Sequence, residues 1–99
     1  MEVKIQSIHF DATEQLQSFI MKKIGKYEKQ GDEIRKVEVS LKVVKPETAM
    51  NKEAAIKVSV KNDELFAEKV CDTFEEAVDQ CVDAVAKQYS KYKEKQRNK

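Results

Sequence analysis

The sequence predicts an α+β fold in the order β-α-β-β-β-α, with two helices on one face of a four-stranded mixed sheet. Three observations predict it. Apolar and polar residues alternate through Val37, Val39, Leu41 and Val43, and again through Ala54, Ile56, Val58 and Val60, as in strands with one wet face. Two other stretches, Leu16 to Tyr27 and Phe74 to Tyr92, repeat their apolar residues at helical spacing instead. Only two Gly and one Pro interrupt 99 residues. That suits a few long elements in one small domain spanning 1–99, too short for two independent cores.

Val3, Ile5 and Ser7 against Lys4 and Gln6 give a first strand of about six residues. Helix one follows. Its N-cap is either Asp11, which with Glu14 resembles a capping box, or Thr13. Its stripe is Leu16, Phe19, Ile20, Ile24 and Tyr27, and Gly31 is a natural residue to end it. Gly25 inside it costs ~1 kcal/mol against Ala. Ile34 to Val44 is the second strand, Pro46 to Asn51 a loop, and Ala54 to Val60 the third strand. Asn62-Asp63 is a short turn into a fourth strand, Leu65 to Cys71. Thr73-Phe74-Glu75-Glu76 is a cleaner capping box. After it Ala77, Val78, Cys81, Val82, Val85 and Tyr89 share one face with Phe74, and Tyr92 sits on its edge, within a band of about 140°. Helices on one face leave Ser40, Lys42, Lys57 and Ser59 on the other, towards water.

Apolar residues make up 40% and charged residues 37% of the chain, an ordered, charge-rich mixture. No apolar run approaches the roughly 18 residues of a membrane span. The opening MEVKIQSIHF alternates like a strand and lacks the plan of a signal peptide, so a cytoplasmic protein is expected. Cys71 and Cys81 are too few for a disulfide scaffold and too far apart for a metal knuckle, and read as buried or half-buried thiols. His9, the sole histidine, reads as a structural or surface imidazole. No Gly-rich phosphate loop, metal-ligand spacing or nucleophile elbow is present. An enzyme, a cofactor, a metal and a small-molecule substrate are therefore not expected.

The net charge of +1 hides a strong segregation. Residues 1–62 carry twelve basic and nine acidic groups, residues 63–86 one against eight, and residues 87–99 six against one. On helix one, Lys22, Lys26 and Lys29 lie within about 60° of arc beside the apolar stripe. Lys23 falls inside that stripe. It is either a snorkelling lysine whose stem covers the core edge, or an ammonium held at the edge for a partner. On helix two, Lys87 and Lys91 point away from the core, Lys93 and Arg97 fall on the far flank, and Lys95 follows. Cations at a helix C-terminus contribute roughly 0.3–1 kcal/mol each. One or two lysines satisfy that rule, and six exceed it. Against a purely solvated tail stands a surface for RNA or another polyanion, with Tyr89, Ser90 and Tyr92 adding stacking and hydrogen-bonding options. Only the stretch beyond about Lys95 is expected to fray.

The segment ELFAEKVCDTFEEAVDQCVDAVAKQYSKYKEK, with its AxQxxKxKxK-like ending, resembles the short ribosome hibernation promoting factors, a family once filed as sigma-factor modulators. TEQLQSFIMKKIGKYEK and VEVSLKVVK resemble that family's first helix and second strand, so the likeness covers nearly the whole chain. The resemblance implies a fold related in shape to double-stranded-RNA-binding domains. It also implies binding to the small ribosomal subunit and its rRNA, in the channel of messenger and transfer RNA. Members block translation in stationary or starved cells and often favour ribosome pairing. By position, Lys23 and Lys26 match basic sites of the family's first helix, and Lys87, Lys91, Lys93 and Lys95 those of its second. Family members often carry an aromatic where Gln30-Gly31 stand, and the acidic stretch 63–86 is heavier than in the pattern. The long form adds a C-terminal dimerisation domain that this sequence does not show, so a monomer off the ribosome is expected. A general double-stranded-RNA binder and a protein-interaction module using the open sheet face are the alternative readings.

Overall fold

A computed structural model describes residues 2–8, 10–28, 34–44 and 51–97, apart from side chains 26, 28 and 95–97. The elements are β1 (Glu2–Ile8), α1 (Glu14–Glu28), β2 (Ile34–Val43), β3 (Lys52–Val60), β4 (Asp63–Cys71) and α2 (Phe74–Arg97). Their order is the expected one. The strands lie side by side in chain order. β1 runs parallel to β2, a pairing that needs a long crossover, and α1 supplies it. The β2–β3 and β3–β4 pairs are antiparallel, so the sheet is mixed.

The register explains which residues form the core. Val39 stands opposite Ile5 on one side and Ile56 on the other, and Ile56 opposite Ala67. Because side chains alternate along each strand, this alignment puts all the inward apolar residues on one face. α1 lies over β2, and α2 over β3 and β4. Ile20, Ile24, Leu41, Ile56, Val78 and Val82 are completely buried between the layers, each contributing about 1.5–3 kcal/mol by leaving water.

Four local details depart from the sequence reading or decide between its options. Ile34 and Val37 are both buried although an odd number of steps separates them. A register shift between Ile34 and Lys36 inserts one extra residue and returns Ile34 to the core side. The β3–β4 turn is Lys61-Asn62, one residue earlier than expected, and Asn62 takes φ 68°, a conformation asparagine tolerates better than most side chains. Thr13, not Asp11, caps α1: its Oγ1 accepts the Leu16 N–H at 3.1 Å. Helix two continues to Arg97, two residues past the point where fraying was expected. Thr73 Oγ1 accepts the Glu76 N–H at 3.1 Å, as the capping box requires. The expected end of α1 near Gly31, His9, and most of the Pro46 loop lie outside the described residues. The base of that loop is closed by the Val44 N–H on the Asn51 carbonyl at 2.9 Å.

Both thiols are buried, as expected. Cys81 Sγ donates to the Ala54 carbonyl at 3.2 Å. Burial, above all, pushes its pKa up to about 11, so it is a packed group and not a reactive one.

Candidate nucleic-acid interface

Three contacts set the mutual direction of the helices. Phe10, just before α1, stacks on Phe74 at the start of α2, with ring centroids 4.7 Å apart. Further along, Lys23 Nζ meets Asp79 Oδ1 at 2.8 Å. Beyond that, the Tyr27 hydroxyl donates to the Val82 carbonyl at 3.0 Å. Contacts that advance together along both chains mean that the helices run the same way. Burial, with Asp83 second, holds the Tyr27 phenol well above its ordinary pKa, so it stays a neutral donor at the centre of the helix–helix contact.

Parallel helices sort charge by end. The acidic first turns, with Glu14 on α1 and Glu75 and Glu76 on α2, share one end of the layer. The lysines share the other. Each helix dipole favours this arrangement at both termini. α2 also outruns α1: from the level of Tyr27 and Val82 to Arg97 it continues for about 20 Å.

What holds that extension is polar as well as apolar. Tyr89 and Tyr92 are its last buried side chains among the described residues, with rings 6.0 Å apart. The Tyr92 hydroxyl donates to the Lys61 carbonyl in the β3–β4 turn at 2.7 Å. Gln88 grips the outer edge of β4: its Nε2 donates to the Phe66 carbonyl at 2.7 Å, and its Oε1 accepts the Phe66 N–H at 3.1 Å. Those two backbone groups would otherwise be an open sheet edge.

The predicted site residues fall into distinct situations. Lys87 and Lys91 are exposed, one turn apart, on either side of the Gln88 clamp in sequence. Lys93 is half-buried, its ammonium 5.4 Å from the centroid of the Tyr89 ring. Asp79 and Lys93 lie within about 40° of each other around α2, so Lys93 continues the flank that faces α1. Lys22 is exposed on α1. Lys23 is half-buried: its stem lies by Phe19, 5.5 Å from ring centroid to ammonium, and its charge meets Asp79. Lys26 and Lys95 occupy helical positions, and their side chains lie outside the described residues. All seven positions belong to the C-terminal parts of the two helices, but Asp79, paired with Lys23, brings a negative charge to the α1 group. Regularly spaced ammonium groups on rigid helices can neutralise successive phosphates of a polyanion.

Sequence reasoning missed Gln88 and Asp79. A glutamine between lysines carries no signal of an edge clamp, and an aspartate in an acidic run carries none of a partner on another helix.

Residues 3–97 match the model of the family described as sigma 54 modulation protein / S30EA ribosomal protein. The chain belongs to that family. A ribosome hibernation promoting factor of Pseudomonas putida is 26% identical over 98 residues, covering 99% of this chain and 92% of that protein. Among solved structures, a ribosomal subunit interface protein from Coxiella burnetii superposes with a TM-score of 0.82 at 20% identity, over 94% of this chain and 98% of that one. The N-terminal domain of Thermus thermophilus Protein Y gives 0.78 at 19% identity, over 93% and 99%. At that identity the two structures establish the fold, and membership of the family rests on the match over 3–97.

Proposed function

We propose that this protein is a ribosome hibernation factor. It binds rRNA of the small ribosomal subunit in the messenger- and transfer-RNA channel and blocks translation in resting cells. The observation that carries this reading is the clamped, outward-facing lysine pair Lys87 and Lys91 on the overhanging half of α2, in a chain of this family. The chemistry is non-covalent. Lys22, Lys23, Lys26, Lys87, Lys91, Lys93 and Lys95 neutralise phosphates and release counterions. The stiff sheet–helix body excludes other RNA by occupying its volume, and no catalytic step is involved. Lys23 contributes least per charge, because Asp79 already offsets it.

Sedimentation with purified small subunits at low and moderate salt tests the proposal. The protein is expected in the ribosomal fraction, and its absence at both salts overturns the reading. Lys87→Glu with Lys91→Glu is expected to weaken binding at least about tenfold and to lower the salt slope by about two, one for each phosphate no longer neutralised. Equal competition by bulk duplex RNA points instead to a general double-stranded-RNA binder.

A further inference from the structure

The face of the sheet away from the helices carries a surface separate from the helix lysines assigned to RNA above. Along β4, Glu64, Phe66, Glu68 and Val70 point to this face. Phe66 is 51% and Val70 36% exposed; among the described residues only Met21, on α1, joins them as an exposed large hydrophobic. Lys57, opposite Phe66 on β3, turns its ammonium to Glu64 at 3.3 Å. Glu53 stands diagonally across from Glu68, within hydrogen-bonding reach of its carboxylate. Burial first, and that neighbouring carboxylate second, raise the Glu53 pKa above the usual range, with Lys42 opposing.

Two carboxyl groups held together are relieved by one cation between them. Phe66 and Val70 flank that point with open apolar surface. Outward side chains on a strand recur every second residue, about 6.6 Å apart, so the strip reads acid, aromatic, acid, aliphatic. Phosphate is disfavoured here, because a base stacked on Phe66 would place its backbone beside Glu64 and Glu68. A second copy laid strip against strip would set acid against acid. Gln88 occupies the Phe66 N–H and carbonyl, so a partner cannot simply add a strand to the β4 edge at that residue. It must lie across the face and engage by side chains.

We propose that the outward strip of β4 docks an extended segment of another protein that presents cation, apolar, cation, apolar at every second residue. An arginine fits between Glu68 and Glu53 with its guanidinium plane against Phe66, and an aliphatic side chain covers Val70. This surface is separate from the lysine sites on the helices, so the two readings fail independently.

An NMR titration of the isotopically labelled 99-residue chain with the peptide Arg-Ser-Leu-Ser-Arg-Ser-Leu tests it. The composition-matched scramble Arg-Arg-Ser-Ser-Ser-Leu-Leu is the control. Saturable shifts are expected at Glu53, Phe66, Glu68 and Val70, with the scramble at least about fivefold weaker. Phe66→Ser and Glu68→Lys are each expected to weaken the peptide by about fivefold or more, while Lys87→Glu with Lys91→Glu leaves it unchanged. Both strip residues are exposed, and a retained thermal midpoint confirms that the variants fold. Four outcomes overturn the proposal: no saturable binding at millimolar peptide, equal affinity of the scramble, shifts confined to the acidic first turns of α2, or duplex RNA shifting the strip in the peptide's place.

Discussion

From Phe74 to Val85, α2 buries Ala77, Val78, Cys81 and Val82 completely and turns Glu75, Glu76 and Asp83 to water. From Ala86 onward, among the described side chains, it buries only Tyr89 and Tyr92 and turns Lys87 and Lys91 to water. The first half is held by the core it helps to make. The second is held at its edges, by two tyrosines, the Gln88 grip on β4 and the Tyr92 bond to the turn. Charge follows the same division, and both ends agree with the helix dipole. A basic surface could thus be placed on the overhang without opposing helix stability, since Lys87 and Lys91 face water while Tyr89 and Tyr92 keep the core contact.

The largest expected break in this comparison is Val78→Asp. It places an unpaired carboxylate where the first half is completely buried. A loss of roughly 3–5 kcal/mol or more is expected, seen by far-UV circular dichroism as the loss of a cooperative urea transition. Retention of that transition would mean that the first half is not the anchor.

Alkaline pH probes the same half more gently. A thiol whose folded pKa lies above its unfolded value contributes stability that is intact below the unfolded pKa and disappears as pH rises through the folded one. For Cys81 that window runs from 9.0 to about 11. Across it the protein is expected to lose roughly 2–3 kcal/mol from this group, measured by urea midpoints at successive pH values. Cys81→Ala is expected to flatten the slope over that interval, whatever its effect at neutral pH. Tyr27, displaced in the same direction, steepens the decline above pH 10 in both proteins.

In the second half, Tyr92→Phe removes one hydrogen bond and keeps the ring. A cost of about 0.5–1.5 kcal/mol is expected, towards the low end because Lys61 is exposed to water, by thermal or urea unfolding. A larger effect would mean that the overhang depends on that bond more than on its rings. Smallest in stability is Lys87→Glu with Lys91→Glu, which is expected to leave the unfolding midpoint nearly unchanged while binding falls most. A large stability loss would show that these lysines are wrongly assigned to water.

Much of this architecture was legible in the chain because periodicity reports burial directly. The stripes Leu16-Ile20-Ile24-Tyr27 and Ala77-Val78-Cys81-Val82-Val85 name the buried faces of both helices, and the alternation from Val37 to Val43 names that of β2. Alternation failed at Ile34, where an inserted residue reverses the parity and leaves no local mark. Turn chemistry misplaced the β3–β4 link by one residue, since both Asn62 and Asp63 favour turns and only the pairing of Val60 with Asp63 decides between them. Of the candidate site, the outward placement of Lys87 and Lys91 was legible from helical spacing; the partners of Lys23 and Gln88 were not. Lys23 meets Asp79 across 56 positions only because α1 and α2 run side by side, and Gln88 reaches Phe66 only because α2 crosses the β4 edge.

By itself, then, the sequence determined the six elements, the faces they bury and the separation of acid from base along α2, because these depend on local spacing and the helix dipole. Tertiary structure decided the rest. It set the helices parallel, so that the lysines share one end. It offset the charge of Lys23, clamped the overhang to β4, and left Phe66 and Val70 open beside a carboxyl pair. Each of those outcomes depends on distances between residues far apart in the chain, and such distances exist only after packing has chosen one register and one crossover.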